Sequence, residues 1–314
     1  MILIFSEKID ISTIRVIDLL ISNQLPFYHI TEKDKLHINY IDDYELIATI
    51  NSQIKVDLNK CVIWNRHSYI FKKSIANAYN ELLNSKFAKF YKQEIDIIFE
   101  HTLDSLNREN LFGWQKKTTI NKLNVLRVAK KIGLKTPDTK IIGGLDCIDH
   151  HNYITKSISE IITIEDEKNT YRNFTRTINK KDTSSQSQIF PSLIQSIIPK
   201  GFDLRIFIFK EIHFSCLIST NNNNHDYRLN LHENNTYHIP YKIEEEIINR
   251  IRHLFNYFDL DCGSVDFIAN EGSLTFLEIN PEGQFNFMEQ HCNYPINESI
   301  FKLIQQQYAT LNLS

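Results

Sequence analysis

Two short segments near residue 270 constrain this chain most. Gly263-Ser264-Val265-Asp266-Phe267-Ile268 and Leu274-Thr275-Phe276-Leu277-Glu278-Ile279-Asn280 both alternate with the period of a strand. Asn270-Glu271-Gly272-Ser273 between them is hairpin-turn chemistry. Alternation puts Phe276, Glu278 and Asn280 on one face, with Leu277 and Ile279 on the other. An antiparallel pairing about the turn brings Asp266 opposite or nearly opposite Glu278. Facing carboxylates repel, and a divalent cation removes that cost. Carboxylates plus an amide carbonyl are hard oxygen donors, the set Mg²⁺ prefers, with phosphate oxygens to complete its shell. Asp266 alone reads as a solvated acid; Asp followed by Glu-x-Asn-Pro on the return strand reads as a metal site.

The rest of the chain supplies context for such a site. With 314 residues, 42% of them hydrophobic, it is long enough for two or three modest subdomains. A net charge of -3 leaves no footprint for nucleic acid or an anionic membrane. No apolar run reaches the roughly 18 residues that span a bilayer. Met1–Phe5 lacks a basic leader and a cleavage site, so it reads as a first strand. Five cysteines without CxxC spacing predict buried single thiols in a reducing cytoplasm.

In chain order, strands are expected at Ile2–Phe5, Phe27–Ile30, Glu45–Ile50 and Cys61–Trp64, with a helix over Asp10–Ile21, an α/β opening. Ser74–Glu100 predicts one or two helices whose aromatics belong to the core. A helix capped by Thr118 or Thr119 runs through Leu126 and Ala129 and stops at Gly133, with Pro137 beyond. Tyr153–Ile158 reads as a strand with an unusual internal lysine, Lys156, whose charge needs a partner. Residues 167–188 are polar and irregular. Phe190–Pro199 and Ile206–Phe209 read as strands, the latter paired with His213–Ser219 about a Lys210-Glu211 turn. Asp203 and Arg205 share a strand face, which suits a structural ion pair or, through the Arg fork, phosphate oxygens. Amphipathic helices are expected over Ile243–Phe258 and Asn297–Leu311. His291 and Cys292 lack metal-ligand spacing and read as packing.

Asp266 with Glu278-Ile279-Asn280-Pro281 resembles the metal-binding end of the ATP-grasp ligases. Leu277-Glu278-Ile279-Asn280-Pro281-x-Gly283-Gln284-Phe285 is similar to their peptide-modifying branch, the graspetide macrocyclases of microviridin and grasp-with-spasm type. Asn121-Lys122-Leu123 with Gly133-Leu134-x-x-Pro137, and Lys200-Gly201-x-Asp203-x-Arg205, resemble further segments of that family. So does Trp64-Asn65-Arg66-His67, although the family carries a second Arg where His67 stands.

The resemblance implies an α/β (α+β) fold of ATP-grasp type: an N-terminal domain over 1–117, a central subdomain over 118–190 with a lid over 167–188, and a C-terminal subdomain over 191–314. It implies ATP and Mg²⁺ as cofactors. Asp266, Glu278 and Asn280 would hold the metal. Lys122, Lys156, Gln195, Ile197, Ile198, Lys200 and Asp203 would contact ATP, with backbone groups around Gln195–Ile198 reading the adenine edge. Arg205 and Arg228 would serve catalysis. The lid has no glycine, so hydroxyls and lysines would cradle phosphate.

The implied reaction activates an Asp or Glu side chain of a ribosomal precursor peptide by phosphorylation; a Ser/Thr hydroxyl or a Lys amine then closes a macrocycle. Addition of a free amino acid to a carboxylate, and non-catalytic nucleotide or peptide binding, are the alternatives. A leader-binding surface is expected on an exposed hairpin bearing Phe207, Phe209, Lys210, Glu211 and Phe214. A second copy of the chain stands beside the peptide as a candidate partner.

Overall fold

A computed structural model describes residues 1–42, 44–113, 120–144, 148, 153–158, 163–165, 170–172, 175–178, 189–199, 201–220 and 236–313. The chain opens with β1 (Ile2–Phe5), α1 (Ile11–Ser22) and β2 (Phe27–Ile30). The Asp10 side chain caps α1 by accepting from the Ser12 N–H, satisfying one of the orphan donors of the first turn. A small antiparallel sheet of β3 (Leu36–Ile41), β4 (Leu46–Ile50) and β5 (Ile54–Asp57) follows. Its outer strands, β3 and β5, were not expected from the sequence, because they carry only part of the strand pattern. β6 (Val62–Asn65) lies parallel to β1.

Ser74–Glu100 resolves into parts of three helices, α2 (Ser68–Ala78), α3 (Asn80–Leu83) and α4 (Ala88–Ser105). The short β7 (Leu111–Phe112) completes a parallel sheet in the order β2-β1-β6-β7. Because β1 is buried on both faces, alternate residues serve different cores. Ile2 and Ile4 pack with Val16 and Leu20 of α1, while Leu3 and Phe5 pack with Phe71 and Phe99.

α5 (Lys122–Lys131) is capped by Asn121, whose side-chain oxygen accepts from the Asn124 N–H. This replaces the expected threonine cap; Thr118 and Thr119 lie outside the described residues. Gly133 ends the helix at φ +86, a left-handed conformation that glycine adopts without steric cost. Next come β8 (Thr139–Ile142), β9 (Tyr153–Lys156), β10 (Thr163–Glu165), β11 (Thr170–Arg172), β12 (Arg176–Ile178) and β13 (Ser192–Ser196). Four of these form an antiparallel sheet, β12-β9-β13-β8. Most of the 167–188 lid segment lies outside the described residues, as do the Asn221–Asn224 run, Lys200, Arg228 and Cys147.

The second half is built on an antiparallel sheet, β16-β15-β14-β17-β18, formed by β14 (Phe202–Phe209), β15 (Ile212–Thr220), β16 (Thr236–Pro240), β17 (Cys262–Asn270) and β18 (Ser273–Asn280). α6 (Glu245–Tyr257) lies between β16 and β17 in sequence. Leu204, Ile206 and Ile208 join a core with α5 and α6. Phe207 and Phe209 turn the other way, into a core shared with β1, α7 (Asn286–Cys292) and α8 (Ile296–Leu313). The hairpin expected to be exposed is therefore the centre of the sheet. Phe207 and Phe209 are 0% and 1% exposed, so neither offers area to a docked peptide. Burying each contributes on the order of 2–3 kcal/mol.

Cys61, Cys216, Cys262 and Cys292 are free and buried, but two are not solitary: Cys292 Sγ lies 3.2 Å from Cys216 Sγ. His291 stacks on His238 at 4.6 Å, a packing contact as expected.

Candidate functional site

The β17–β18 hairpin turns on Glu271 and Gly272, at φ +44 and +77, with Asn270 paired to Ser273. Two consecutive positive φ values are the backbone of a type I′ turn, whose twist matches that of the flanking strands. The turn sets the register from Asn270–Ser273 to Phe267–Phe276; continued unbroken it would pair Asp266 with Leu277, but Asp266 stands opposite Glu278.

A bulge interrupts the ladder next to this pair. Phe267 pairs with Phe276, so Leu277 is the extra residue. The bulge overturns the simple alternation expected of the strand. Phe276 joins the α5–α6 core with Ile279, and Leu277 lines a cavity beside Glu278. A local register shift of this kind leaves no mark in hydrophobic periodicity.

The cavity lies between the two antiparallel sheets. It is lined by Lys156, Gln195, Ile198, Asp203, Arg205, Asp266 and Glu278, with Pro137, Ile154, Thr175, Ser196, Leu204, Ile218, Phe267, Ile268 and Leu277. Arg205 sits opposite Asp266 across β14 and β17, and its Nε and Nη2 each donate to the carboxylate at 2.7 Å. Glu278 Oε2 lies 3.7 Å from both Lys122 Nζ and Lys156 Nζ. Lys122 reaches it because α5 begins there and packs against β18. The repulsion expected between the two carboxylates is thus offset by three protein cations, one of them in a bidentate hydrogen-bonded pair.

The other residues singled out in the sequence divide as follows. Gln195 is buried, its amide donating to Thr139 Oγ1 at 2.9 Å. Ile197 and Ile198 connect β13 to β14; Ile198 lines the cavity and Ile197 does not. Asn280 closes β18 outside the cavity lining, and its Oδ1 accepts from the Glu282 N–H at 3.2 Å. Phe214 is half-buried against Tyr294, at 5.1 Å between rings. Lys210 stands over the Phe112 ring at 4.0 Å, at the far end of the sheet from the carboxylates, with Glu211 exposed beside it.

Arg66 ties the N-terminal sheet to this region. Its Nε donates to Asp10 at 3.0 Å and its guanidinium lies 5.6 Å from the Phe285 ring centre. Burial and the neighbouring Arg66 charge push His67 down to about 4, so it is neutral at pH 7.

No family model matches the chain, and no curated protein matches it. Solved structures do, along nearly its whole length. MdnC from Microcystis aeruginosa MRC, a macrocyclase bound with precursor peptide MdnA, superposes with a TM-score of 0.71 at 21% identity over 97% of this chain and 99% of its own. A RiPP-associated ATP-grasp ligase from Chryseobacterium gregarium, in complex with ADP and a leader and core peptide, gives 0.73 at 21% identity over 98% and 96%. The ATP-grasp ligase PsnB, complexed with minimal precursor, Mg and ADP, gives 0.69 at 13% identity over 98% of both chains. The fold is ATP-grasp. In this ATP-grasp fold the cavity between these sheets gathers Lys156, Arg205, Asp266 and Glu278, residues far apart in sequence, and Lys122 reaches Glu278 at its edge.

The donor set at the hairpin fits Mg²⁺. Asp266 and Glu278 present carboxylate oxygens from paired positions, and Asn280 adds an amide oxygen two residues along. Among the described residues no group of three His, Cys, Asp or Glu side chains gathers, so such a site depends on the amide and on oxygens from outside the chain. No helix of the described residues is long and apolar enough to cross a membrane.

Proposed function

We propose that the protein is an ATP-dependent carboxylate ligase acting on a ribosomally made precursor peptide, closing macrocycles through Asp or Glu side chains. The observation that carries this reading is the meeting of Asp266 and Glu278 with Arg205 and Lys156 at one cavity, with Lys122 paired to Glu278 beside it. Fixed cations beside two metal-competent carboxylates suit a polyphosphate better than an apolar ligand. The peptide follows from the likeness to ligases and macrocyclases solved with precursor peptides.

In this reading Asp266, Glu278 and Asn280 would hold Mg²⁺, which would neutralise phosphate charge when bound. Lys122 and Lys156, each 3.7 Å from Glu278, would offset the charge of the phosphate oxygens there. Arg205 keeps Asp266 oriented and adds a fixed positive charge where the phosphoryl group transfers. Gln195, locked by Thr139, holds the strand that leads into Ile197 and Ile198, whose backbone groups would face the base. Leu204, Ile218 and Leu277 exclude water from one wall, which strengthens every ionic contact inside. Lys200 and Arg228 complete the proposed set of functional residues.

The test is mass spectrometry of a short acidic peptide encoded beside this gene, incubated with the protein, ATP and Mg²⁺. Loss of one water per ring, together with phosphate release, is the expected result. An unchanged peptide mass with no phosphate released would refute the reading; addition of a free amino acid would move the protein to another class of ligase.

A further inference from the structure

Strand β16 brings a titratable side chain to the level of the cavity. His238 pairs with Ile218 on β15, and Ile218 pairs with Asp203 on β14. Paired residues share a face of the sheet, and Ile218 and Asp203 both line the cavity. His238 therefore extends the cavity floor by one strand, about 10 Å from Asp203 at two strand spacings. Its neighbours Tyr237 and Ile239 take the opposite face and are largely exposed.

Two rings hold the imidazole. Phe287 of α7 lies 5.3 Å from it, and His291 stacks on it at 4.6 Å. Phe287 also lies 5.9 Å from the Arg205 guanidinium, so a single aromatic ring separates His238 from Arg205. Among the described residues neither ring nitrogen of His238 has a hydrogen-bond partner. Burial and the neighbouring His291 hold it below the ordinary histidine value, so it is neutral at pH 7 and keeps a lone pair. The other acceptors on this face are engaged or enclosed. Asp266 is held by Arg205, and Glu278 faces Lys122 and Lys156. The Cys216 thiol is fully buried and pushed up to about 12.

We propose that His238 is the general base of ring closure, taking the proton of the peptide hydroxyl or amine that attacks the activated carboxyl. The inference rests on the macrocyclase reading above. The nucleophile forms a bond to the acyl carbon, and the carbon–oxygen bond to phosphate breaks. Phosphate leaves with that electron pair, and the nucleophile's proton passes to a ring nitrogen of His238 and on to solvent. The separation suits the step. A nucleophile approaches its carbon to about 3–3.5 Å, and its base stands about 2.6–3.2 Å beyond. With the acyl phosphate itself reaching from Arg205, these distances extend past Phe287 to β16.

The test separates the two half-reactions with hydroxylamine, which traps an acyl phosphate without needing a base at neutral pH. Wild type, ATP, Mg²⁺ and the acidic peptide of the preceding test should give loss of water by ring closure, and a peptide hydroxamate when hydroxylamine is added. Both are read by mass spectrometry. His238→Gln and His238→Ala should close rings about 100-fold more slowly or worse, the low end of a general base's contribution. They should form the hydroxamate at the wild-type rate. Because β16 is an edge strand among the described residues, both variants should also keep the wild-type thermal midpoint. Ring closure at the wild-type rate in either variant, or an equal loss of ring closure and hydroxamate, would overturn the proposal. A wild type that gives neither product would instead overturn the macrocyclase reading, and this proposal with it.

Discussion

Arg205 and Asp266 stand opposite each other on neighbouring strands and share two hydrogen bonds of 2.7 Å. Arg205 is 8% exposed, and Asp266 belongs to the proposed metal set. The pair fixes the carboxylate plane before any ligand arrives, while the second lone pair of each oxygen remains able to coordinate. Arg205 thus has a positioning role in addition to any direct contact with phosphate.

The first prediction separates those roles. Arg205→Ala should lower kcat for peptide-dependent phosphate release by about 100-fold or more, the usual loss for a transition-state charge donor. Arg205→Lys keeps the charge and loses the fork, so it should raise the Mg²⁺ concentration needed for half-maximal rate more than it lowers kcat. Wild-type kcat in a soluble Arg205→Ala protein would remove Arg205 from the chemistry.

Glu278→Gln gives the second prediction. It leaves Lys122 and Lys156 without their carboxylate, but those contacts are 3.7 Å long and partly exposed. The stability change should stay within about 1 kcal/mol, as for other partly solvated ion pairs. Mg²⁺-dependent turnover should be lost. Urea unfolding beside a Mg²⁺ titration of activity checks both halves; a large loss of stability with activity retained would make Glu278 structural.

What the sequence revealed and what it hid have physical causes. The carboxylates were legible only as near neighbours, because a two-residue turn between alternating segments fixes the register as far as Phe267–Phe276, and it is the bulge that sets Glu278 opposite Asp266. The roles of Phe207 and Phe209 were not: a strand end rich in Phe looks the same whether it lies at an edge or, like β14, at the centre of a sheet covered on both faces. Leu277 was misplaced because a bulge reverses the face of every residue beyond it. The Glu278–Lys122 and Glu278–Lys156 contacts span over 120 residues of chain, so no local pattern could join them.

Gly283 offers a third prediction, about the turn that follows Asn280. Its φ is +55, and a Cβ there would stand 2.9 Å from the Gly263 carbonyl carbon and 3.1 Å from the Phe207 ring. Backbone cannot yield as a flexible side chain would. Gly283→Ala should therefore cost more than the ~1 kcal/mol of a left-handed alanine alone. It should also disturb Asn280, whose carbonyl accepts from the Gly283 N–H at 3.2 Å. Thermal unfolding reads the first effect and Mg²⁺ dependence the second; a variant equal to wild type in both would show that the turn can relax.

The last prediction concerns pH. Burial pushes the fully enclosed Asp261 carboxyl up to about 7, against the opposing pull of Lys210. The folded state then holds a proton that the unfolded chain releases near pH 4, so this group's contribution to stability falls as pH rises from about 4 to 7. His67 has the opposite sign. Burial and Arg66 push it down to about 4, and the unfolded chain binds a proton near pH 6.5 that the folded state refuses. Its contribution is full above pH 6.5 and is lost toward pH 4, by at most about 3 kcal/mol. Between pH 4.5 and 6.5 the two slopes oppose each other. Asp261→Asn removes one slope, so the difference in thermal midpoint, variant minus wild type, should grow as pH rises through this window. His67→Gln keeps a side-chain acceptor for the Glu7 N–H and removes the other slope, so it should gain on wild type as pH falls. Comparing each variant with wild type at the same pH cancels titrations that neither group touches, such as that of Asp34. Differences that do not change with pH would show that neither group carries the titration assigned to it.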